Sequence, residues 1–266
     1  MMIIGQITDC HIVEDSHLFG AIDTAGGLTA AVDRINRLDP APDVIVVTGD
    51  LVNDGGTAQY AHFKSLIAGL SVPVLVLPGN HDDRDRMRAA FGGTSALPVS
   101  AQTPFLHYAV KIGPIRLIAL DTLDPGKTTG LLCADRLGWL TDRLTEDQES
   151  PTVVAMHHPP FQTGMPLMDR YGLEGRQAFE AVVARAGNVH RIIAGHVHRA
   201  VTTLVAGVTA QIAPSTAHTL ALDLLPEMQP SWTDEPAGLL LHCWSGDARM
   251  VTHHLLTQAP NVKDWG

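Results

Sequence analysis

The stretch Val44-Ile45-Val46-Val47-Thr48-Gly49-Asp50 decides the fold. Its β-branched run has no polar break, which marks a strand buried on both faces. Gly49 then lets the chain turn sharply and brings Asp50 to the sheet edge. The same unit repeats outward on both sides. Ile3–Thr8 reads as a strand and Ala21–Leu38 as a helix with apolar residues at helical spacing. Beyond Asp50 come a helix from Ala58 to Leu70, a strand Val74–Leu77 stopped by Pro78-Gly79, and a short helix Asp83–Phe91.

Further along, Leu106–Ile112 and Ile115–Leu120 read as a hairpin across Gly113-Pro114. Cys133–Leu144 is helical in pattern, Thr152–Met156 a strand, Glu174–Ala186 a helix and Val189–Ala194 a strand. After that the helices stop. Ala200–Val205, Thr209–Ala213, Gly238–Trp244 and Arg249–Leu255 are strand-like segments separated by turn signals. Mixed βα units followed by consecutive strands predict an α/β fold with a two-sheet core and helices outside. No repeat or linker divides the chain, so residues 1–266 are expected to form a single domain. Ser215–Glu235 lacks periodicity and is rich in Pro, Thr and Leu. Loops this long are uncommon unless functional, so residues 215–236 are a candidate cap or oligomerisation insert, with a plain surface loop as the alternative.

The chain carries a formal net charge of −10 without an acidic tail. An acidic surface opposes the counterion release on which binding to a nucleic acid polymer depends. A small anionic substrate is still compatible, because bound cations set the charge inside a site. Cys10, Cys133 and Cys243 are too few and too far apart for a disulfide framework. No run reaches the roughly 20 apolar residues that span a bilayer, and the chain opens directly as a strand. The expected setting is cytoplasmic and reduced, with no membrane partner.

Five clusters of metal-ligand residues stand where strands end: Asp9-Cys10-His11, Gly49-Asp50, Gly79-Asn80-His81-Asp82, His157-His158 and Gly195-His196-Val197-His198. Asp9 and His11 are two apart on an extended segment, so both should point one way, with Cys10 turned into packing. Asp50 has two oxygens and can bridge two metals, which sit roughly 3.5–4 Å apart in such sites. Asn80 offers a neutral carbonyl oxygen, and His81 can face a substrate. The plainer reading of that cluster is a helix start with Asn80 or Asp82 as its cap. His157 precedes Pro159-Pro160, while His196 and His198 bracket one residue. For His17, His62, His107, His190, His242, His253 and His254 a surface or hairpin place is expected. The set of Asp, Asn and His suits two adjacent divalent metals such as Fe2+, Mn2+, Zn2+ or Co2+.

All five clusters in this order resemble the calcineurin-like metallophosphoesterases, whose signature runs D-x-H, G-D, G-N-H-[DE], a strand-end His and G-H-x-H. The match spans Asp9 to His198. Leu18-Phe19-Gly20-Ala21-Ile22-Asp23 and Met156-His157-His158-Pro159-Pro160 are similar to bacterial class III phosphodiesterases, nearest the glycerophosphodiesterase type. The resemblance implies an αββα sandwich with a small cap-like segment towards its C-terminus. It gives one metal Asp9, His11, Asp50 and His198, and the other Asp50, Asn80, His157 and His196. His81 and Asp50 would be the catalytic pair, with His81 at the phosphoryl oxygen or the leaving group. Phe19 and His218 would lie beside the substrate or just behind the metal ligands. The implied reaction is hydrolysis of small phosphodiesters, such as glycerophosphodiesters, by a metal-bound hydroxide, in a homo-oligomer.

The rival within that chemistry is a 3′,5′-cyclic nucleotide phosphodiesterase. A glycerol diester needs polar contacts and a nucleotide a flat apolar slot, so the wall near Phe19 and residues 215–235 should separate them. Low aromatic content leans towards the former. A phosphomonoesterase also fits two metals. A non-catalytic scaffold of the same fold is the alternative from another class, and the complete donor set speaks against it.

Overall fold

The computed structural model describes residues 1–14, 17–99, 103–225, 230–246 and 249–258. The first half lays down β1 (Met2–Ile7), α1 (Thr24–Asn36), β2 (Val44–Thr48), α2 (Thr57–Ile67), β3 (Val74–Leu77) and α3 (Arg84–Phe91). Next come β4 (Tyr108–Ile112), β5 (Ile115–Ala119), β6 (Gly130–Leu131), α4 (Ala134–Glu146) and β7 (Thr152–Ala155). They are followed by α5 (Pro166–Arg170), β8 (Leu173–Glu174), α6 (Arg176–Ala186) and β9 (Val189–Ala194). The remainder is strand: β10 (Val201–Val205), β11 (Val208–Ile212), β12 (Thr219–Leu220), β13 (Trp232–Thr233), β14 (Gly238–Trp244) and β15 (Met250–Leu256).

Two sheets carry the architecture. One has the order β15-β14-β1-β2-β3, the other β10-β11-β9-β7-β5-β4. β1, β2 and β3 are parallel, as are β5, β7, β9 and β11, with antiparallel strands at the margins. Period-2 alternation in the second sheet sorts its residues between two apolar cores. Leu117, Ala119, Val153, Ala155 and Ile193 join the core built around the first sheet and α1–α3. Ile118, Leu120, Val154, Met156, Ile192 and Ala194 turn the other way, onto Leu140 of α4 and Phe179 of α6. The layers are therefore helix, sheet, sheet, helix, the αββα sandwich. Side chains such as Phe63 and Phe179, each fully buried, contribute about 1.5–3 kcal/mol apiece.

The periodicity reading fixed the existence of the long elements, while local chemistry moved their ends. Helix α1 begins at Thr24 rather than Ala21 because the Asp23 carboxylate caps it, accepting from Gly26 N at 2.7 Å. A tight turn closes just before it, with Leu18 N donating to Ile22 O and Ile22 N to Leu18 O. Glu174 pairs with Leu131 in a two-stranded ladder instead of opening α6. The short helix α5, started by Pro166, had no periodic signal to announce it. Within Ser215–Glu235, β12 and β13 pair as a small antiparallel ribbon, and residues 226–229 lie outside the described residues. Two histidines for which a surface or hairpin place was expected are buried. His107 accepts from Asp121 N at 2.9 Å, and His242 lies between Gln6 and Thr252. Among the described residues, no helix is long and apolar enough to cross a membrane.

Candidate metal centre

The carboxyl ends of β1, β2, β3, β7 and β9 converge, the usual place for a ligand in an open α/β sheet. Each hands the site one of the five clusters. Asp9, His11, Asp50, His157, His196 and His198 are all buried, while His81 is exposed at the rim. Cys10 is fully buried and faces packing, as its spacing predicted.

The route to convergence differs from the extended geometry expected of Asp9 and His11. Both adopt positive φ, 53° and 45°, and so do Asp50 (49°), His196 (73°) and His198 (56°). Non-glycine residues held there cost on the order of 1–3 kcal/mol each and persist only when neighbours over-determine them. Those neighbours are explicit. Asp9 N donates to Gly49 O, His11 N to Asp50 O, and both Asp9 oxygens accept from His196 N at 3.0–3.1 Å. Asp50 Oδ1 accepts from His81 N at 2.8 Å.

The donor atoms form two overlapping groups. Asp9, His11 and His198 bring theirs together, with His198 Nε2 3.4 Å from Asp9 Oδ1. Asp50 Oδ2 lies 3.6 Å from His11 Nε2 on one side and 3.3 Å from His157 Nε2 on the other. Asn80 Oδ1 stands 3.1 Å from the same His157 nitrogen, and the His196 ring lies 5.2 Å from the His157 ring.

Ring tautomers decide whether this set fits cations. His157 Nδ1 lies 2.8 Å from Thr48 O and His198 Nδ1 3.1 Å from His218 O. Backbone carbonyls only accept, so each Nδ1 carries a proton, and in the neutral ring each Nε2 keeps a lone pair. His11 Nδ1 is likewise directed at Asn53 Oδ1, 3.3 Å away. His11 Nε2 and His198 Nε2 then oppose each other at 3.1 Å, lone pair to lone pair. His157 Nε2 and Asn80 Oδ1 do the same. Such oppositions suit an intervening positive charge.

The charge balance says the same. Burial would raise the Asp9 and Asp50 carboxyls, but facing histidines hold both below the usual range. Burial would lower His157, yet Asp50 and Asp9 push it up to about 9, and Asp9 raises His198. His11 and His196 fall to about 3 because they are buried and have cationic neighbours. The buried carboxylates thus draw positive charge towards this centre, whether carried by protons or by cations.

Further residues border the centre. His158 is fully buried, but Thr122 Oγ1 and Thr128 O engage its two nitrogens at 2.8 and 3.0 Å, so it positions Thr128 rather than offering a donor. Tyr171 O accepts His196 Nε2 at 3.0 Å, leaving Nδ1 for the centre. Asn53, three residues beyond Asp50, faces His11 and was not singled out in the sequence. The His218 ring meets that of His198 edge-on, 4.4 Å between centroids, with its Nδ1 buried and unpartnered among the described residues. Phe19 is 75% exposed at φ 53°.

A cavity of about 210 Å3 opens over the cluster. Beyond the metal-ligand side its wall is apolar, with Phe19, Leu167, Met168, Tyr171, Leu220 and Pro230 prominent. A larger cavity of about 580 Å3 at the far end of the strands, beside Met1 and Trp244, holds no such cluster.

Residues 2–200 match the calcineurin-like phosphoesterase family model. The chain belongs to the calcineurin-like phosphoesterases. It is 32% identical, over 95% of its length and 92% of the relative's, to a probable glycerophosphodiester phosphodiesterase of Arcobacter nitrofigilis. It is 34% identical, over 86% of its length and 84% of the relative's, to a probable cyclic nucleotide phosphodiesterase of Rhodopseudomonas palustris. A dimetal phosphatase from Danio rerio superposes with a TM-score of 0.73 at 16% identity, covering 97% of this chain and 96% of that one, a likeness of fold alone. The family fixes the chemistry as metal-dependent phosphodiester hydrolysis.

Proposed function

We propose that the chain hydrolyses small phosphodiesters at a two-cation centre, with glycerophosphodiesters as the leading substrates. One observation carries the two-cation reading: Asp50 Oδ2 sits between His11 Nε2 and His157 Nε2, at 3.6 and 3.3 Å, as a bridging carboxylate would. We assign Asp9, His11, Asp50 and His198 to one cation and Asp50, Asn80, His157 and His196 to the other. Nitrogen and carboxylate donors suit Fe2+, Mn2+, Zn2+ or Co2+. When bound, such a pair supplies Lewis-acid activation of water and, with Asp9 and Asp50 ionised, leaves about two positive charges to meet a phosphodiester monoanion.

The remaining work falls to the chain. His81 sits at the rim with its Nδ1 2.7 Å from Asn53 O. Its Nε2 is left to face a departing alkoxide, and donation from there by the doubly protonated ring would be worth on the order of 10²–10⁴ in rate. The apolar wall excludes water and strengthens the charge interactions inside. The described part of residues 215–236 acts as a cap, contributing Leu220 and Pro230 to that wall.

Coverage nearly end to end of the relative from Arcobacter nitrofigilis supports the glycerophosphodiester reading. The second reading, cyclic nucleotide hydrolysis, is favoured by the wall itself, because Phe19, Leu220 and Pro230 offer a nucleobase apolar surface and a glycerol few polar contacts. Side-by-side kcat/KM for glycerophosphoethanolamine and cyclic AMP on Mn2+-loaded protein tests the choice. A clear preference for cyclic AMP overturns the first reading. We infer a cytoplasmic setting from three free cysteines, and a homo-oligomer from the exposed Leu222, Leu224, Leu225 and Trp232 in the cap.

A further inference from the structure

We propose that Asp82, braced by Tyr60, is a positioning residue that sets the spacing between the Asp50 and Asn80 loops and so tunes the affinity of the second cation. This rests on the two-cation reading above.

The β2–β3 ladder ends at the pair Thr48↔Leu77. Past it the two chains separate, Asp50 into positive φ and Asn80 towards His157. Leu51 N and Gly79 N are left without a strand partner. One oxygen serves both: Asp82 Oδ2 accepts from Leu51 N at 3.2 Å and from Gly79 N at 2.9 Å. The carboxylate thus stands as one further rung beyond the ladder, and the two amides it joins flank the donors Asp50 and Asn80.

The rung is itself anchored. Asp82 Oδ1 accepts from Tyr60 Oη at 3.0 Å, and that hydroxyl accepts from Asp83 N at 2.9 Å. Tyr60 is fully buried on α2 with its ring edge-on to Phe91, so the hydroxyl has little freedom. There is no slack between the loops either, since a Cβ on Gly79 would come within 2.2 Å of Asp50 Oδ1. The cap of α3 does not account for Asp82. Asp83 performs that role, accepting from Arg86 N at 2.9 Å, whereas the sequence had pointed to Asn80 or Asp82. Both Asp82 oxygens are occupied by protein donors, so it orders the loops without being a donor to metal.

The test uses Mn2+ titrated calorimetrically into chelator-stripped protein, with thermal unfolding of the stripped forms measured alongside. Asp82→Ala is expected to weaken the second Mn2+ by about 10–100-fold, the usual effect of losing an outer-shell partner. The first Mn2+ should change by less than about threefold, and activity should return as Mn2+ is raised. Asp82→Asn can keep the rung, with its oxygen on the two amides and its NH2 donating to Tyr60 Oη, and should restore the affinity. Tyr60→Phe removes only the brace and should weaken the second Mn2+ by several-fold, which keeps the idea testable if Asp82→Ala does not fold. Unchanged second-site affinity in Tyr60→Phe, or equal weakening of both sites in Asp82→Ala, overturns the proposal as a mere stability effect. Wild-type protein that takes up fewer than two Mn2+ overturns the two-cation reading instead, and this inference with it.

Discussion

Gly195→Ala should damage the centre through space alone. Gly195 precedes His196 and lies outside the positive-φ region, so its backbone would accept alanine. The added Cβ would instead come within 2.1 Å of Thr8 Oγ1, 2.8 Å of Asp9 Oδ2 and 2.9 Å of Thr48 O, where ordinary contact begins at 3.4 Å. Thr8 and the Asp9 carboxylate must retreat by on the order of 1 Å, and Thr48 O also fixes His157 through Nδ1. Overpacking of this kind costs about 1–3 kcal/mol, and each kcal/mol lowers Tm by about 2–4 °C in a chain of this size. A displacement of that order near the chemistry costs about 10²-fold in rate. Thermal unfolding, Mn2+ binding and kcat/KM on a diester substrate read all three consequences. Gly138→Ala is the control: it is exposed in α4 with nothing within 4 Å of its Cβ, and should raise stability by about 0.5–1 kcal/mol. Wild-type Tm and turnover in Gly195→Ala would refute the claim that close contact at Gly195 holds the donors in place.

Three other outcomes follow from the same geometry. Asp50→Ala removes the oxygen between the two donor groups; metal analysis should find both cations lost, and activity should fall by more than the about 10–100-fold typical of outer-shell changes. His81→Ala should keep its metal content while turnover drops by on the order of 10²–10⁴, and loss of metal in that variant would make His81 a ligand instead. His242 is buried and held at about 3, by burial first and then by Arg191. Its folded value lies below the unfolded one near 6.5, so its contribution is complete above that pH and is lost as pH falls towards 3. The slope is up to about 1.4 kcal/mol per pH unit, and urea unfolding between pH 7 and 5 should show a shallower slope in His242→Gln; equal slopes would refute it.

Strand-end clusters made most of the centre readable from the sequence, because residue type alone defines a donor and β-branched runs place strand ends well. Val44–Thr48 and Val189–Ala194 fall where the pattern put them, and both sheets follow from it. What the sequence hid is whatever depends on backbone atoms or distant partners. Thr48 O, His218 O and Tyr171 O fix the tautomers of His157, His198 and His196, and no residue type advertises a carbonyl. His158 looked like one more donor in a His-His pair until Thr122 and Thr128 accounted for both its nitrogens. The ribbon of β12 and β13 was legible only as a gap in periodicity, since strands of two residues have no period to detect.

The positive-φ turns show why a correct outcome can rest on the wrong conformation. Two residues apart on an extended strand, Asp9 and His11 share a face, and they do converge, but through left-handed turns that the pattern cannot encode. Five strained donors at about 1–3 kcal/mol each amount to on the order of 10 kcal/mol, comparable with the whole stability of a domain. The sandwich must carry that load, and three of the donor turns are tied to the loop at a neighbouring strand end: Asp9 to Gly49, His11 to Asp50, His196 to Asp9. These ties run between loops rather than within them, so the donors are held as one rigid body. A cation then meets a prearranged cage and spends little binding energy on ordering it. By the same reasoning, cutting one tie should disturb more than one donor.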